Sequence, residues 1–323
     1  MTPAPRNRTI GLTDDELREY QKRLTTIGGP QSLSAVVDRV IHGDTTGLVD
    51  FLPDRCVDLL FLDPPYNLTK EFGDLRFNKT TSSAYAGWVD SWLAPLVRVL
   101  KPGASIYICG DWRSSSAIQS AAERHFTVRS RITWEREKGR GAKANWKNAS
   151  EDLWFCTMGD SYTFNVDQVR LRRKVLAPYV DATGKPKDWT DGAAGRYRDT
   201  GPSNLWTDLS VPFWSMPENT EHPTQKPEKL LARIVLASSN AGDVVLDPFL
   251  GSGTAAAVAK KLRRRFIGIE SNLRFACLAQ KRVELAEVGG AIQGLVDGVF
   301  WERNSAPPPK VRSARSDQNR LLD

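Results

Sequence analysis

The run VDLLFLDPPYNL, residues 57–68, sets the problem. Val57, Leu59, Leu60, Phe61 and Leu62 are apolar on both faces of a strand. Parallel strands covered by helices on both sides read this way. The run then meets an acid, two prolines and an aromatic. Proline lacks an N–H and fixes φ, so Pro64 and Pro65 stop the strand in a rigid turn. That turn presents carbonyls and a carboxylate with few competing donors. Asp63 and a neighbouring carbonyl can together accept the two hydrogens of an amino group, and Tyr66 offers a flat face for stacking. In doubly wound sheets, ligands sit at the carboxyl ends of strands. The turn therefore suits an aromatic amine. Standing alone, it reads equally well as a tight turn whose Asp caps the next segment.

Working outward, strands and helices alternate. RVIHGD (39–44) reads as a strand ending in a polar turn, and 67–84 as a polar loop. Trp88, Trp92, Leu93, Leu96, Val97 and Leu100 recur at helical spacing. KPG (101–103) breaks that helix before the strand ASIYIC (104–109). RITW (131–134) and DLWFCT (152–157) are further strands. Pro227 opens a helix. It is followed by the strand DVVLD (243–247), a glycine turn, the helix 253–264, the strand FIGIE (266–270) and a last helix over about 271–288. Thr13 and Glu16 form a capping box for a helix reaching about Ile27. The alternation predicts an α/β fold, a doubly wound, mostly parallel sheet. Residues 160–215 lose periodicity and read as an irregular insert. The division expected is an N-terminal helical segment (1–30), a half carrying the Asp63 turn (31–135), the insert (136–215), a glycine-turn half (216–300) and a polar, Pro-rich, disordered tail (301–323).

Composition narrows the function. The 323 residues are 40% apolar and 26% charged, as in a soluble globular protein. No run of 18 or more apolar residues occurs, and the N-terminus has no apolar signal core, so a cytoplasmic protein without a membrane span is expected. The four cysteines lie far apart in apolar runs, and there are only three histidines. No metal site is expected. The net charge is +7. Basic residues cluster beside aromatics in 129–148 and 170–179, a mixture suited to phosphate contact plus base stacking.

A second constellation is DPFLGSGT (247–254) followed by Glu270. Gly251 and Gly253 permit a tight turn and close backbone approach. An acid ending the next strand can accept from both hydroxyls of a ribose. The full dinucleotide glycine pattern and the P-loop lysine are both missing, so a nucleoside-type ligand fits better than a phosphate. The plain alternative is a glycine turn beside a surface acid.

Asp63-Pro64-Pro65-Tyr66, then HPTQKP (222–227), then DPFLGSGT together resemble the DNA amino-methyltransferases, in the motif order of their beta group. The resemblance covers roughly 39–285. LKPGASIYI and SEDLWFCTMGDSYTFN also look like family strands, whereas ICGDW (108–112) departs from the pattern. The resemblance implies a Rossmann-like methyltransferase fold, S-adenosylmethionine as cofactor and duplex DNA as partner. It implies base flipping, with Asp63, Pro64, Pro65 and Tyr66 at the chemistry. Glu270 would hold the ribose. Asp247, Phe249, Gly251, Ser252, Gly253 and Thr254 would form the floor, Thr224 and Lys226 would take the cofactor carboxylate, and Asp44 would lie on the adenine side. Residues 67–84 would be a lid and 136–215 the target-recognition region, with Arg136, Lys138, Arg140 and Lys143 on phosphate or bases. Asp in the leading position implies adenine N6 rather than cytosine N4. RNA or protein amine methylation, or a non-catalytic DNA-binding module, are the rivals. A homodimer and a cognate restriction endonuclease are open as partners.

Overall fold

The computed structural model describes residues 6–72, 75–136, 144–176, 179–192, 195–303 and 305. Eight strands among them build one sheet: β1 (Arg39–His42), β2 (Val57–Leu62), β3 (Leu100–Gly110), β4 (Thr127–Glu135), β5 (Ser150–Thr157), β6 (Leu205–Trp206), β7 (Val244–Asp247) and β8 (Arg265–Glu270). Their order is β1-β8-β7-β2-β3-β5-β4-β6. The five from β1 to β3 are mutually parallel. β5 runs against both of its neighbours, β3 and β4.

Alternate side chains of these strands feed two cores. Leu59, Phe61, Tyr107 and Cys109 point to a layer made by α4 (Glu228–Ser238), α5 (Thr254–Lys261) and α6 (Leu273–Leu285). Leu60, Leu62, Ile106 and Ile108 point to the other layer, made by α2 (Ser82–Leu96) and α3 (Ser115–Ala122). This double burial is why β2 is apolar at nearly every position. The four cysteines are free and buried: Cys56, Cys109 and Cys156 in these cores, and Cys277 in a small cluster with Leu12 and Leu278.

The N-terminal helix α1 (Asp14–Gln21) carries the expected Thr13–Glu16 capping box, but ends well before Ile27. Helix α2 ends at Leu96 in a short 3-10 turn, and β3 already begins at Leu100, running through Lys101-Pro102-Gly103. Two expectations of irregular structure need correction. Within 67–84, Lys70–Phe72 pairs antiparallel with Leu75–Phe77. Within 160–215, Leu171–Lys174, Thr190–Gly192 and Gly195–Thr200 belong to a second sheet completed by Leu295–Val296 and Val299–Trp301. These strands are short and largely polar, so they show no apolar alternation. Phe300, at the end of the expected glycine-turn half, is fully buried, and Trp301, expected in the tail, pairs with Arg172. The rest of the tail expected to be disordered, residues 304 and 306–323, lies outside those described. No described helix is long and apolar enough to cross a membrane.

Candidate active site

The crevice lies where the chain changes layers. After β7 the chain passes into α5 on one face of the sheet, and after β2 it passes to α2 on the other. The loops leaving these neighbouring strands diverge and open a cleft above their carboxyl ends. A cavity of about 390 Å³ occupies it, within the range of small-molecule sites. Asp247 ends β7, Asp63 follows β2, Glu270 ends β8 and Asp44 follows β1; all four line this cavity.

The Asp63 turn is held from several sides. Ladder pairing with β3 stops at Leu62↔Ile108, as the two prolines require. Tyr85 of α2 donates its hydroxyl to the Pro65 carbonyl at 2.9 Å. Asn67 accepts from Thr80 N at 2.8 Å and donates to Thr80 O at 3.0 Å. Ser114 receives the Asn67 amide at 3.3 Å and donates to Asp111 at 2.7 Å. Asp111 belongs to the ICGDW stretch, so that departure from the family pattern braces the turn.

Around Asp63 four polar side chains close a ring. Lys226 Nζ donates to both Asp63 oxygens at 2.7 Å and lies 3.5 Å from Glu151 Oε2. The Tyr66 hydroxyl is 3.1 Å from Asp63 Oδ1 and 3.1 Å from Glu151 Oε2. Arg136 pairs with the other Glu151 oxygen. Two cations thus balance two carboxylates. Burial favours neutral Lys226, but Asp63 and then Glu151 outweigh it and raise its pKa. Burial also raises the Asp63 carboxyl, with Lys226 pulling against it. These directions oppose one another for the pair. The lysine's is the one the geometry supports, because an ammonium meeting both oxygens needs both as acceptors. Burial, followed by the two carboxylates, holds Tyr66 well above its ordinary range, so its hydroxyl stays a donor.

In the glycine half, Glu270 accepts from Gly251 N through Oε2 and from Asn272 N through Oε1, each at 2.8 Å. Burial lifts its pKa while these amides pull it down. Asp247 accepts from Phe249 N at 3.0 Å and is pushed well above the ordinary range by burial. Phe249 meets Trp92 edge-on at 5.0 Å. Gly251 and Gly253 both have positive φ, 53° and 79°. A Cβ on Gly251 would stand 3.2 Å from the His222 ring, and one on Gly253 would stand 2.9 Å from Ala279 Cα. Beneath the turn, buried Arg282 donates to Thr254 at 2.7 Å, Ser252 at 3.2 Å and Glu228 at 3.1 Å.

One cavity therefore gathers Asp63, Pro64, Pro65 and Tyr66 with Thr224, Lys226, Asp247, Phe249, Gly251, Ser252, Thr254 and Glu270. Gly253 does not line it and serves helix packing instead. Lys226, expected to hold the cofactor carboxylate, is turned to Asp63. Asp44 lines the cavity but also caps the turn after β1, accepting from Thr46 N at 2.8 Å. Arg136 lines the same cavity, drawn in by Glu151, rather than standing on an open basic face. Lys138, Arg140 and Lys143 lie outside the described residues. Glu151 escaped the sequence reading. It sits near the start of the reversed strand β5, whose amino end lies at the carboxyl edge of the parallel ones. A pair of acids, Glu151 and Asp152, ahead of the apolar run Leu153–Cys156 was its only signal.

A family model described as DNA methylase matches residues 57–281. The DNA adenine methyltransferase YhdJ of Escherichia coli (strain K12) is 36% identical over 253 residues, 76% of this chain and 83% of that protein. The type II methyltransferase M.HpaI of Haemophilus parainfluenzae is 34% identical over 253 residues, 76% of this chain and 74% of that protein. Among solved structures, an M1.HpyAVI–SAM complex superposes with a TM-score of 0.51 at 25% identity, covering 76% of this chain and 98% of that one.

Proposed function

The chain belongs to the DNA methylase family, whose S-adenosylmethionine-dependent members methylate exocyclic amines of DNA bases, and on that premise we propose that it methylates N6 of adenine in duplex DNA after flipping the base from the helix. The observation that carries this is the placement of Asp63 and Pro64 on the same cavity as Glu270 and the Gly251 turn. An amine held at the first pair faces a nucleoside held at the second. For adenine over cytosine, the support is the Asp in the leading position of the tetrapeptide and the likeness to YhdJ, named an adenine methyltransferase.

The cavity suits the cofactor on its own terms. Glu270 spends one lone pair of each oxygen on a backbone amide and keeps the others for two ribose hydroxyls. The cradle beside Gly251 is space that a Cβ would take. Asp247, Phe249, Ser252 and Thr254 would form the floor, with Thr224 beside them and Asp44 toward the adenine. When bound, S-adenosylmethionine supplies an electrophilic methyl group on a sulfonium.

The chain's own residues do the rest. A flipped base costs a few kcal/mol of lost stacking and pairing, which pocket contacts offset. The Tyr66 ring would stack on the base, its orientation set by the hydroxyl held at Asp63 and Glu151. Asp63 and the Pro64 carbonyl would accept the two amine hydrogens. An aromatic amine is a poor nucleophile because its lone pair is delocalised. Accepting its hydrogens draws the nitrogen toward tetrahedral geometry and frees that lone pair, so the gain comes from positioning and electrostatics. The insert 136–215 would read the DNA sequence.

The test is direct. Duplex DNA treated with the enzyme and S-adenosylmethionine, digested to nucleosides and analysed by mass spectrometry, is expected to contain N6-methyladenine. N4-methylcytosine alone would overturn the choice of base.

A further inference from the structure

Asp63 has a second claimant. The carboxylate that must receive the target amine already accepts two Lys226 N–H bonds at 2.7 Å, and the Tyr66 hydroxyl stands 3.1 Å away. Lys226 is almost fully buried, its side chain 7% exposed. Pulling it from Asp63 with nowhere to go would strand a charge out of water, which is strongly unfavourable. The structure offers a place for it. Glu151 Oε2 lies 3.5 Å from the ammonium and 3.1 Å from the Tyr66 hydroxyl. Tyr66 has a single proton, so it serves one carboxylate at a time. Arg136 holds the opposite oxygen of Glu151 and keeps the cluster balanced.

Resting on the reading of Asp63 as the amine acceptor, we propose that Glu151 is a positioning residue that receives Lys226 when the target amine docks on Asp63. The exchange moves hydrogen bonds, not covalent ones. Lys226 needs to shift only from ion-pair to hydrogen-bond distance of Glu151. Asp63 then turns its lone pairs to the amine, and no buried ammonium is left unpaired. The pair Asp63–Lys226 is thereby a resting arrangement, and Glu151 makes it reversible.

A double-mutant cycle tests this by single-turnover transfer of tritiated methyl groups to duplex DNA. Glu151→Gln is expected to slow transfer on the order of 100-fold, the scale of coupling within one charge network. Cofactor affinity by calorimetry should stay near wild type, which also reports folding. In a Lys226→Met background there is no ammonium to receive, so adding Glu151→Gln should change the rate by less than about threefold. An equal loss in both backgrounds would overturn the proposal, as would a Glu151→Gln rate within about threefold of wild type. Should Glu151→Gln fail to fold, Glu151→Asp gives the same comparison: its shorter carboxylate is expected to slow transfer beside Lys226 but not beside Met, and equal slowing would overturn the proposal. If the wild type itself transfers no methyl group to DNA, the function proposed above fails and takes this inference with it.

Discussion

The amide of Gly251 donates to Glu270 at 2.8 Å, tying the glycine turn to the acid that ends the next strand. On the proposed reading, ribose contact and loop geometry share this one carboxylate. Glu270→Ala should weaken S-adenosylmethionine binding by about 1.5–3 kcal/mol, the worth of hydrogen bonds to a charged group. DNA affinity should barely change. Calorimetry decides the matter; an unaltered cofactor affinity would remove Glu270 from the ribose.

Asp63→Ala should abolish methyl transfer while cofactor binding survives, since the Gly251 turn is built from other residues. Because Lys226 would keep only Glu151 as a charged partner, thermal stability should fall as well. Turnover within about tenfold of wild type, a barrier change of ~1.4 kcal/mol, would contradict the assigned role.

Gly253→Ala should destabilise the fold by about 1–3 kcal/mol, combining a left-handed φ with overpacking. Its Cβ would press on Ala279 at 2.9 Å, in backbone and side chain of α6, which cannot swing aside. Gly251→Ala would meet only the His222 ring at 3.2 Å and should cost less. Thermal melts of the two variants should rank in that order.

Glu218, buried against Glu228, has its pKa raised from 4.5 to about 7. The folded state therefore binds more protons than the unfolded one between those values, and this group's contribution to stability falls as pH rises through them. Glu218→Gln should flatten that slope. Melting both proteins from pH 4.5 to 8 measures it; parallel curves would show that Glu218 does not titrate in this window.

What the sequence disclosed follows from locality. The Asp63 turn, the glycine turn and Glu270 are read from adjacent residues and from strands whose apolar character is unmistakable, and the structure puts them on one cavity. Glu151 could not be found that way, because its place depends on β5 running backwards, a property of the whole sheet. Lys226 was expected on the cofactor carboxylate; only the packing of α4 under the cleft brings it to Asp63, far along the chain. Gly253 showed its flexibility in sequence but not its purpose, since Ala279 is its neighbour only once α6 is in place. The small second sheet was invisible for two reasons. The strands contributed by the insert are largely polar, and Leu171 pairs with Phe300 from the far end of the described chain.

That pairing bears on the role proposed for the insert in reading DNA. Val299–Trp301 supplies the strand beside Leu171–Lys174, and Lys229 of α4 donates to the Trp301 carbonyl and to Asp208 O. The insert is therefore not a cassette bounded by two cut points. A chimera that exchanged 160–215 for the corresponding segment of a relative would leave its new strands facing a foreign edge. On the proposed reading of the insert as the region that reads DNA, a graftable unit would have to be discontinuous, carrying residues 295–303 along with it.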